Sequence, residues 1–357
     1  MELLAQASLA AINDAGLTIP DIDAVFSMLP DDPWCAMSVP EYLGIRPKLI
    51  ESTRTGGSSF QIHALWAALA LDAGLCDAVL VCYGSNQRSS SGGFATSAGT
   101  GFGYESVYKP RNPPTSYALA AARHMHEFGT TREQLAEVAV AARRWAQLNP
   151  DAFARDDLTI RDCLEARMVS DPLTVRDCCL VTDGAAALVM TRADRARDIR
   201  HPPVYLLSAA SAVWHRNISA APDLTITAVA ECAPRAFAQA GVKASDVDVV
   251  EIYDAFTINT ILFLEDFGFC PKGEGGRFVA GGAIAPGGRL AVNTNGGGLS
   301  CVHPGMYGLF AMVEAVTQLR GQAGRRQVAG ANIALAHGNG GLLSCQAVTI
   351  FGTADAV

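Results

Sequence analysis

The 357 residues carry a formal net charge of -8, and 50% of them are hydrophobic against 17% charged. A chain this long and apolar exceeds one typical domain and has the means to bury a large core. Its seven histidines and 27 lysines and arginines are scattered, so nucleic acid and anionic membrane surfaces, which call for a concentrated basic face, are poor main partners.

The opening MELLAQASLAAINDAG lacks the basic and apolar segments of a secretion signal and reads as an amphipathic helix over 2–16 ending at Gly16. Asp21-Ile22-Asp23-Ala24-Val25 then leads into a strand. Gly56-Gly57-Ser58-Ser59 opens a buried helix, FQIHALWAALALDAG, which is followed by the strand DAVLVCYG over 77–84. Tyr104 to Asp177 is less apolar and more charged and reads as an inserted lobe. It holds the helical stretch SYALAAARHMHEFG, a capping-box-like start at Thr130-Thr131-Arg132-Glu133, and the basic Arg143-Arg144-Trp145. His124 and His126, in this lobe, read as surface or loop-packing residues, and His63 on the buried helix as structural. Asp183-Gly184 turns the chain into the strand DGAAALVMT, and Arg192 to Pro203 reads as a linker.

The pattern then repeats. Ala15-Gly16-Leu17 and Asp21-Ile22-Asp23 recur as Ala240-Gly241-Val242 and Asp246-Val247-Asp248, an offset of 225 residues in an internal duplication. Gly296-Gly297-Gly298, a helix running through Glu314 and the strand NIALAHGNGG (332–341) mirror the earlier Gly turn, helix and strand. Two α/β halves, 1–200 (with the lobe at 104–177) and 201–357, are therefore expected, each a sheet covered by helices, with Gly turns and strand ends meeting at the junction. The stretch NTNGGGLSCVHPGMYGLFAMVE (293–314) places His303 between a Gly-rich turn and a helix start, where an imidazole serves as acid or base. The longest uncharged run, Leu290 to Val313, is broken by Asn, Gly and Pro and makes a poor membrane span.

Ten cysteines include the adjacent Cys178 and Cys179 but no CxxC, and they read as reduced, mostly buried thiols of a cytoplasmic protein. No Gly turn spells a P-loop or a dinucleotide fingerprint, so no bound metal or redox cofactor is expected.

Glu251-Ile252-Tyr253-Asp254-Ala255-Phe256, Val302-His303-Pro304, Ala336-His337-Gly338-Asn339-Gly340-Gly341, SYALAAARHMHEFGTTREQLAEVAV and DCCLVTDGAAALVM together resemble the thiolase superfamily, in its sterol-carrier-protein-X and lipid-transfer-protein branch. The resemblance spans nearly the whole chain. It implies a five-layered αβαβα fold, a homodimer, a coenzyme A thioester as substrate under the lobe, catalysis at the junction, and in some members a small zinc-ribbon/OB-fold partner. Family members begin with a strand ahead of the helix that opens this sequence, which implies an edge or central strand not seen here.

The departures define the chemistry. Counting back from Asp72-Ala73-Gly74, the family's nucleophilic cysteine position falls on Gly57, with Ser58 next, and neither supplies the thiolate that an acyl-enzyme needs. Tyr253 stands where the family has Asn or His, His337 stands at the second cysteine position, and His303 keeps the family histidine. Thiolase-fold aldolases that shorten steroid side chains likewise lack the cysteine. The resemblance thus implies retro-aldol cleavage of a β-hydroxyacyl-CoA without a covalent intermediate. Tyr253 or His303 acts as base, and His337 with backbone N–H groups near Gly57, Ser58 or Gly340 holds the thioester oxygen. Two alternatives stand: a β-ketoacyl-CoA thiolase or acyltransferase with a non-standard nucleophile such as Cys301, and a noncatalytic acyl-CoA-binding subunit.

Overall fold

Each half starts its central strand on an aspartate peg, and the two pegs are built alike. In the first half the helix Glu2–Asp14 stops before Gly16 (φ +70°), and Thr18 caps the turn Ile19–Asp21 by donating its N–H and hydroxyl to Asp21 at 2.7 and 2.6 Å. Asp23 then accepts the N–H groups of Asp77 (3.0 Å) and Ala78 (2.9 Å). In the second half the helix Val229–Ala240 stops at Gly241 (φ +70°), the Lys243 N–H donates to Asp246 at 2.8 Å, and Asp248 accepts the N–H groups of Asn332 (2.8 Å) and Ile333 (3.0 Å). A carboxylate at that spot satisfies two strand-end donors that the ladder does not reach.

The computed structural model describes residues 1–91, 103–198 and 201–357, so the reading of 192–203 as a linker falls partly outside them, at residues 199 and 200. The strands are β1 (Ala24–Ser27), β2 (Leu49–Glu51), β3 (Ala78–Ser85), β4 (Met168–Ser170), β5 (Leu173–Thr174), β6 (Gly184–Thr191), β7 (Tyr205–Val213), β8 (Val249–Glu251), β9 (Ala291–Val292), β10 (Ile333–Gly340) and β11 (Cys345–Gly352). The first sheet runs β2-β1-β3-β6, with β6 antiparallel to β3. The second runs β7-β11-β10-β8-β9, with β11 antiparallel to both neighbours. The orders correspond strand for strand, except that β7 has no counterpart: among the described residues β6 is an edge strand.

The helices Ser59–Asp72 and Gly308–Leu319 pack on each other and on both sheets, forming a shared middle layer. Glu2–Asp14 covers the outer face of the first sheet, and Val229–Ala240 that of the second. The result is the expected five-layered αβαβα arrangement. The middle helices are apolar nearly all round because both faces are covered, as with Phe60, Ala64 and Ala67 in one and Leu309, Met312 and Ala315 in the other.

The lobe lies over the second half. Its helix Pro114–Phe128 ends at Gly129, and Thr131, one residue later than expected, caps the next helix Arg132–Gln147 by accepting the N–H of Gln134 at 3.3 Å. His124 is not at the surface as expected. It is fully buried, bonded to Thr130 (2.8 Å) and Glu265 (3.1 Å), and Lys272 joins Glu265 at 3.1 Å, fastening the lobe to the helix Thr257–Asp266. Among the described residues no helix is long and apolar enough to cross a membrane.

Asp248→Ala would leave two strand-end N–H groups without their acceptor. We expect it to lower stability by about 1–2 kcal/mol, read from urea unfolding curves, with the sheet content unchanged by circular dichroism.

Candidate active site

At their closest approach the two halves meet backbone to backbone. Gly308 lies against the Gly57 carbonyl, Gly338 against Ser58 Cα, and Gly340 against the Thr55 carbonyl, each so closely that a Cβ would overlap its neighbour. The side-chain amide of Gln61 crosses the junction and donates to the Gly308 carbonyl at 2.8 Å. The tightest point is Gly57, where a Cβ would overlap the Tyr253 ring at Cε2 and stand 2.7 Å from the Asn339 carbonyl oxygen. A side chain at 57 and the ring of Tyr253 exclude each other.

Tyr253 follows β8, and its hydroxyl lies 3.1 Å from His303 Nε2 with the rings edge to face. His303 is held at both ends of its peptide unit: its N–H donates to Thr182 Oγ1 (3.0 Å), and its carbonyl accepts the Thr182 N–H (3.3 Å). The Tyr83 hydroxyl donates to the next carbonyl, that of Pro304. Burial drives the two partners in opposite directions. It lowers the His303 imidazole to about 4, so that it is neutral at pH 7, and raises the Tyr253 phenol well above its ordinary value. In the tautomer with its proton on Nδ1, the neutral imidazole faces the protonated phenol with a bare Nε2 and is placed to accept its hydrogen bond.

Asp254 shapes the turn beneath them. Its carboxylate accepts the N–H groups of Gly298 (2.6 Å) and Leu299 (3.4 Å) at the head of a single wide helical turn, Gly297–Cys301. Gly297 takes φ +62°, and a Cβ there would overlap Asp254 Oδ2, so both the conformation and the contact require glycine. Further down, the Thr294 hydroxyl lies 2.8 Å from Glu251 and 2.7 Å from Glu314, while Arg326 pairs with Glu314 at 2.9 Å. One hydroxyl proton cannot serve two carboxylates. Burial and then Glu314 raise Glu251 well above the usual carboxylate range, so Glu251 is the acid of the pair, while Arg326 pairs with Glu314.

The comparisons with known proteins agree with this geometry. Residues 210–353 match the Thiolase C-terminal domain-like family model. The acetyl-CoA acetyltransferase of Methanothermobacter thermautotrophicus is 35% identical over 361 residues, covering 98% of this chain and 94% of its own length. The chain belongs to the thiolase superfamily. Within it, the chain lies in the sterol-carrier-protein-X and lipid-transfer-protein branch; a steroid side-chain-cleaving aldolase from Thermomonospora curvata is 32% identical over 90% of this chain and 85% of its own length. A solved structure, the Ltp2-ChsH2(DUF35) aldolase, superposes with a TM-score of 0.88 at 30% identity, covering 99% of this chain and 92% of that one.

At the junction a phenol ring fills the space that Gly57 leaves by having no side chain. Of the residues singled out in the sequence, Tyr253, His303 and Gly57 come together. His337 does not join them. Successive strand residues face opposite ways, and it is Gly338 that points at Ser58 and Gln61. His337 points the other way, packs on Phe263 and Phe267 at 4.3 and 5.5 Å, and bonds Gln346 Oε1 at 2.9 Å. Ser58 spends its hydroxyl on Thr55 (3.0 Å to Oγ1), and Gly340 packs on that same Thr55–Ser58 turn. Cys301 turns into the lobe beside Ala146 and Ala152. Asn149 donates to its sulfur at 3.5 Å, and burial pushes the thiol up to about 12, which disfavours a thiolate there.

Two site residues went unassigned in the sequence: Asp254, inside a quoted motif, and Tyr117 of the lobe, stacked on Phe256 at 4.3 Å and bonded to Asn339 at 2.7 Å. An open cavity of about 990 Å³ borders the junction, lined by Gly56, Gly305, Met306, Gly340, Gly341 and Cys345 among others. All ten cysteines are free, and among the described residues no group of three or more His, Cys, Asp or Glu is placed to hold a metal.

Gly57→Ala is expected to displace the Tyr253 ring, lowering stability by about 1–3 kcal/mol in urea unfolding and turnover as far as Tyr253→Phe does. A second expectation concerns pH. Burial raises Asp254 from 3.8 to about 7, so its stabilising contribution is complete below pH 3.8 and is lost as pH rises through about 7. Asp254→Asn removes that loss. The Tm of the variant relative to wild type should climb between about pH 4 and pH 7 and level off above, as read by thermal melts across that range.

Proposed function

We propose that the protein cleaves the Cα–Cβ bond of a β-hydroxyacyl-CoA thioester by a retro-aldol reaction. The observation that carries this reading is the Tyr253–His303 pair, whose ring fills the space that a side chain at 57 would need. The β-hydroxyl of the substrate donates to Tyr253, and Tyr253 passes its own proton to His303 Nε2. The O–H electrons form the new carbonyl, the Cα–Cβ bond breaks, and its pair goes to the thioester as an enolate. Returning the proton to carbon releases an aldehyde or ketone and a shortened acyl-CoA. Tyr253 never becomes a free phenolate, which its burial disfavours. The 990 Å³ cavity beside Gly56 and Gly340 takes the acyl part. Names of relatives fit: one is a 17-hydroxy-3-oxo-4-pregnene-20-carboxyl-CoA lyase of Mycobacterium tuberculosis, 32% identical over 90% of this chain and 86% of its own length.

The acetyltransferase relative favours a thiolase reading, but that reading needs a thiolate. Desolvation raises the Cys301 thiol, and also that of Cys179, a half-buried residue next to the Tyr253–Phe256 turn through its N–H to the Ala255 carbonyl (2.8 Å). We further propose a homodimer and a small zinc-ribbon/OB-fold partner. Exposed Trp34, Met37 and Trp66 support an interface, and the ChsH2(DUF35) component of the Ltp2-ChsH2(DUF35) aldolase supports the second protein. The free thiols fit a reducing, cytoplasmic setting.

A panel of β-hydroxyacyl- and β-ketoacyl-CoA thioesters, assayed by mass spectrometry with and without free coenzyme A, tests the reaction. CoA-independent release of aldehyde or ketone is expected from the hydroxy substrates, falling by about 10²–10⁴-fold in Tyr253→Phe and His303→Ala. CoA-dependent cleavage of the keto substrates instead would replace this reading with a thiolase. Because His303 protonates only near pH 4, kcat/KM should stay flat from pH 8 to about pH 5 and fall below that, rather than near the ordinary histidine value of about 6.5.

A further inference from the structure

A chain of side-chain hydrogen bonds runs from His337 to Tyr117. His337 Nε2 lies 2.9 Å from Gln346 Oε1, the Gln346 amide donates to Asn339 Oδ1 at 2.9 Å, and the Asn339 amide donates to the Tyr117 hydroxyl at 2.7 Å. All four residues are buried. Amides can be turned, so the chain has two self-consistent polarities, and His337 decides between them. Its Nδ1 is buried with no partner. In one polarity Nε2 carries the proton and Nδ1 is a bare acceptor. In the other, Nδ1–H is an orphaned donor against Phe263 and Phe267. Orphaned buried N–H groups are the rarer and costlier outcome, so Nε2–H is the tautomer and every bond points toward Tyr117.

The consequence falls on the tyrosine. Its oxygen accepts from Asn339, and its own proton faces the Gly341 carbonyl at 3.4 Å, well beyond the usual O–H···O length of about 2.7–2.8 Å, and the side chain of Asn259, neither of which holds it closely. That hydroxyl stands at the junction. The Gly341 N–H group approaches the Gly56 Cβ position at 3.1 Å, and the Asn339 carbonyl is the atom that meets Gly57 beside the Tyr253 ring. Gly341 also lines the cavity.

We infer that Tyr117 is a further catalytic residue, donating its aimed hydroxyl proton to the thioester oxygen as enolate charge develops there, with His337, Gln346 and Asn339 as the residues that set its direction. The inference rests on the retro-aldol reading for its substrate. Burial pushes Tyr117 up to about 12, so it stays a donor at any working pH. A donor preorganised toward developing charge is the arrangement that raises kcat rather than binding.

Three measurements on the full chain test it. Long-range ¹H–¹⁵N spectra of ¹⁵N-histidine-labelled protein, assigned with His337→Gln, should show His337 as the Nε2–H tautomer; an Nδ1–H tautomer reverses the chain and overturns the inference whatever the activity. Tyr117→Phe, folded as judged by its Tm, should lose about 10²-fold in kcat with KM within about threefold. If the wild type cleaves hydroxyacyl-CoA and the variant retains kcat within about threefold, the Tyr117 role fails while the retro-aldol reading stands. If the wild type cleaves nothing, that reading fails, and binding decides for Tyr117. Wild type preferring an acyl-CoA thioester over its carbonyl-free thioether analogue, with the preference lost in Tyr117→Phe, supports the donor; equal preference in both proteins overturns it.

Discussion

Everything at the site depends on how closely two backbones approach. The helix starts and strand ends of the two halves meet at Gly57, Gly308, Gly338 and Gly340, where no Cβ fits. That contact leaves one space at residue 57, and an aromatic ring from the other half fills it. A side chain at 57 cannot share that space, and the ring that fills it lies against the His303 imidazole.

The surroundings keep that pair uncharged. Burial lowers His63 and His303 to about 4 and His337 to about 3, and it lifts Tyr83, Tyr117, Tyr253 and Tyr307 above 10.0. Carboxylates are admitted only with partners: Asp254 on two N–H groups, Glu314 on Arg326, and Glu251 as a neutral acid against Thr294. In such a medium each hydrogen bond counts for more than in water, and each unmet donor costs more. The direction of a buried chain such as His337–Gln346–Asn339–Tyr117 is then a property with consequences at its end.

The lobe is part of the same machine. It brings Tyr117 to the junction and lays the helix Arg132–Gln147 over the Gly297–Cys301 turn, with Arg143 donating to Ser300 at 3.0 Å and Asn149 to the Asn295 carbonyl at 2.9 Å. Its anchor, His124 on Glu265 with Lys272, is buried and far along the chain from the turn it steadies.

The sequence alone determined the duplicated halves and the Gly turns at their junction. These follow from local signals: capped helices ending in Gly16 and Gly241, aspartates at Asp23 and Asp248, and glycines where chains must touch. The structure decided what local signals do not carry. Strand alternation turns His337 away and Gly338 inward, because a one-residue step in a strand reverses the facing of a side chain. His124 is polar and sits among polar residues, yet a glutamate 141 positions later buries it. Cys301 lies two residues from His303, but the wide turn sends it into the lobe. Tyr117 lies inside a quoted motif but was given no role; only the packing of the lobe against β10 brings its hydroxyl to Asn339, because partners 222 residues apart in the chain are set by tertiary contact and not by spacing.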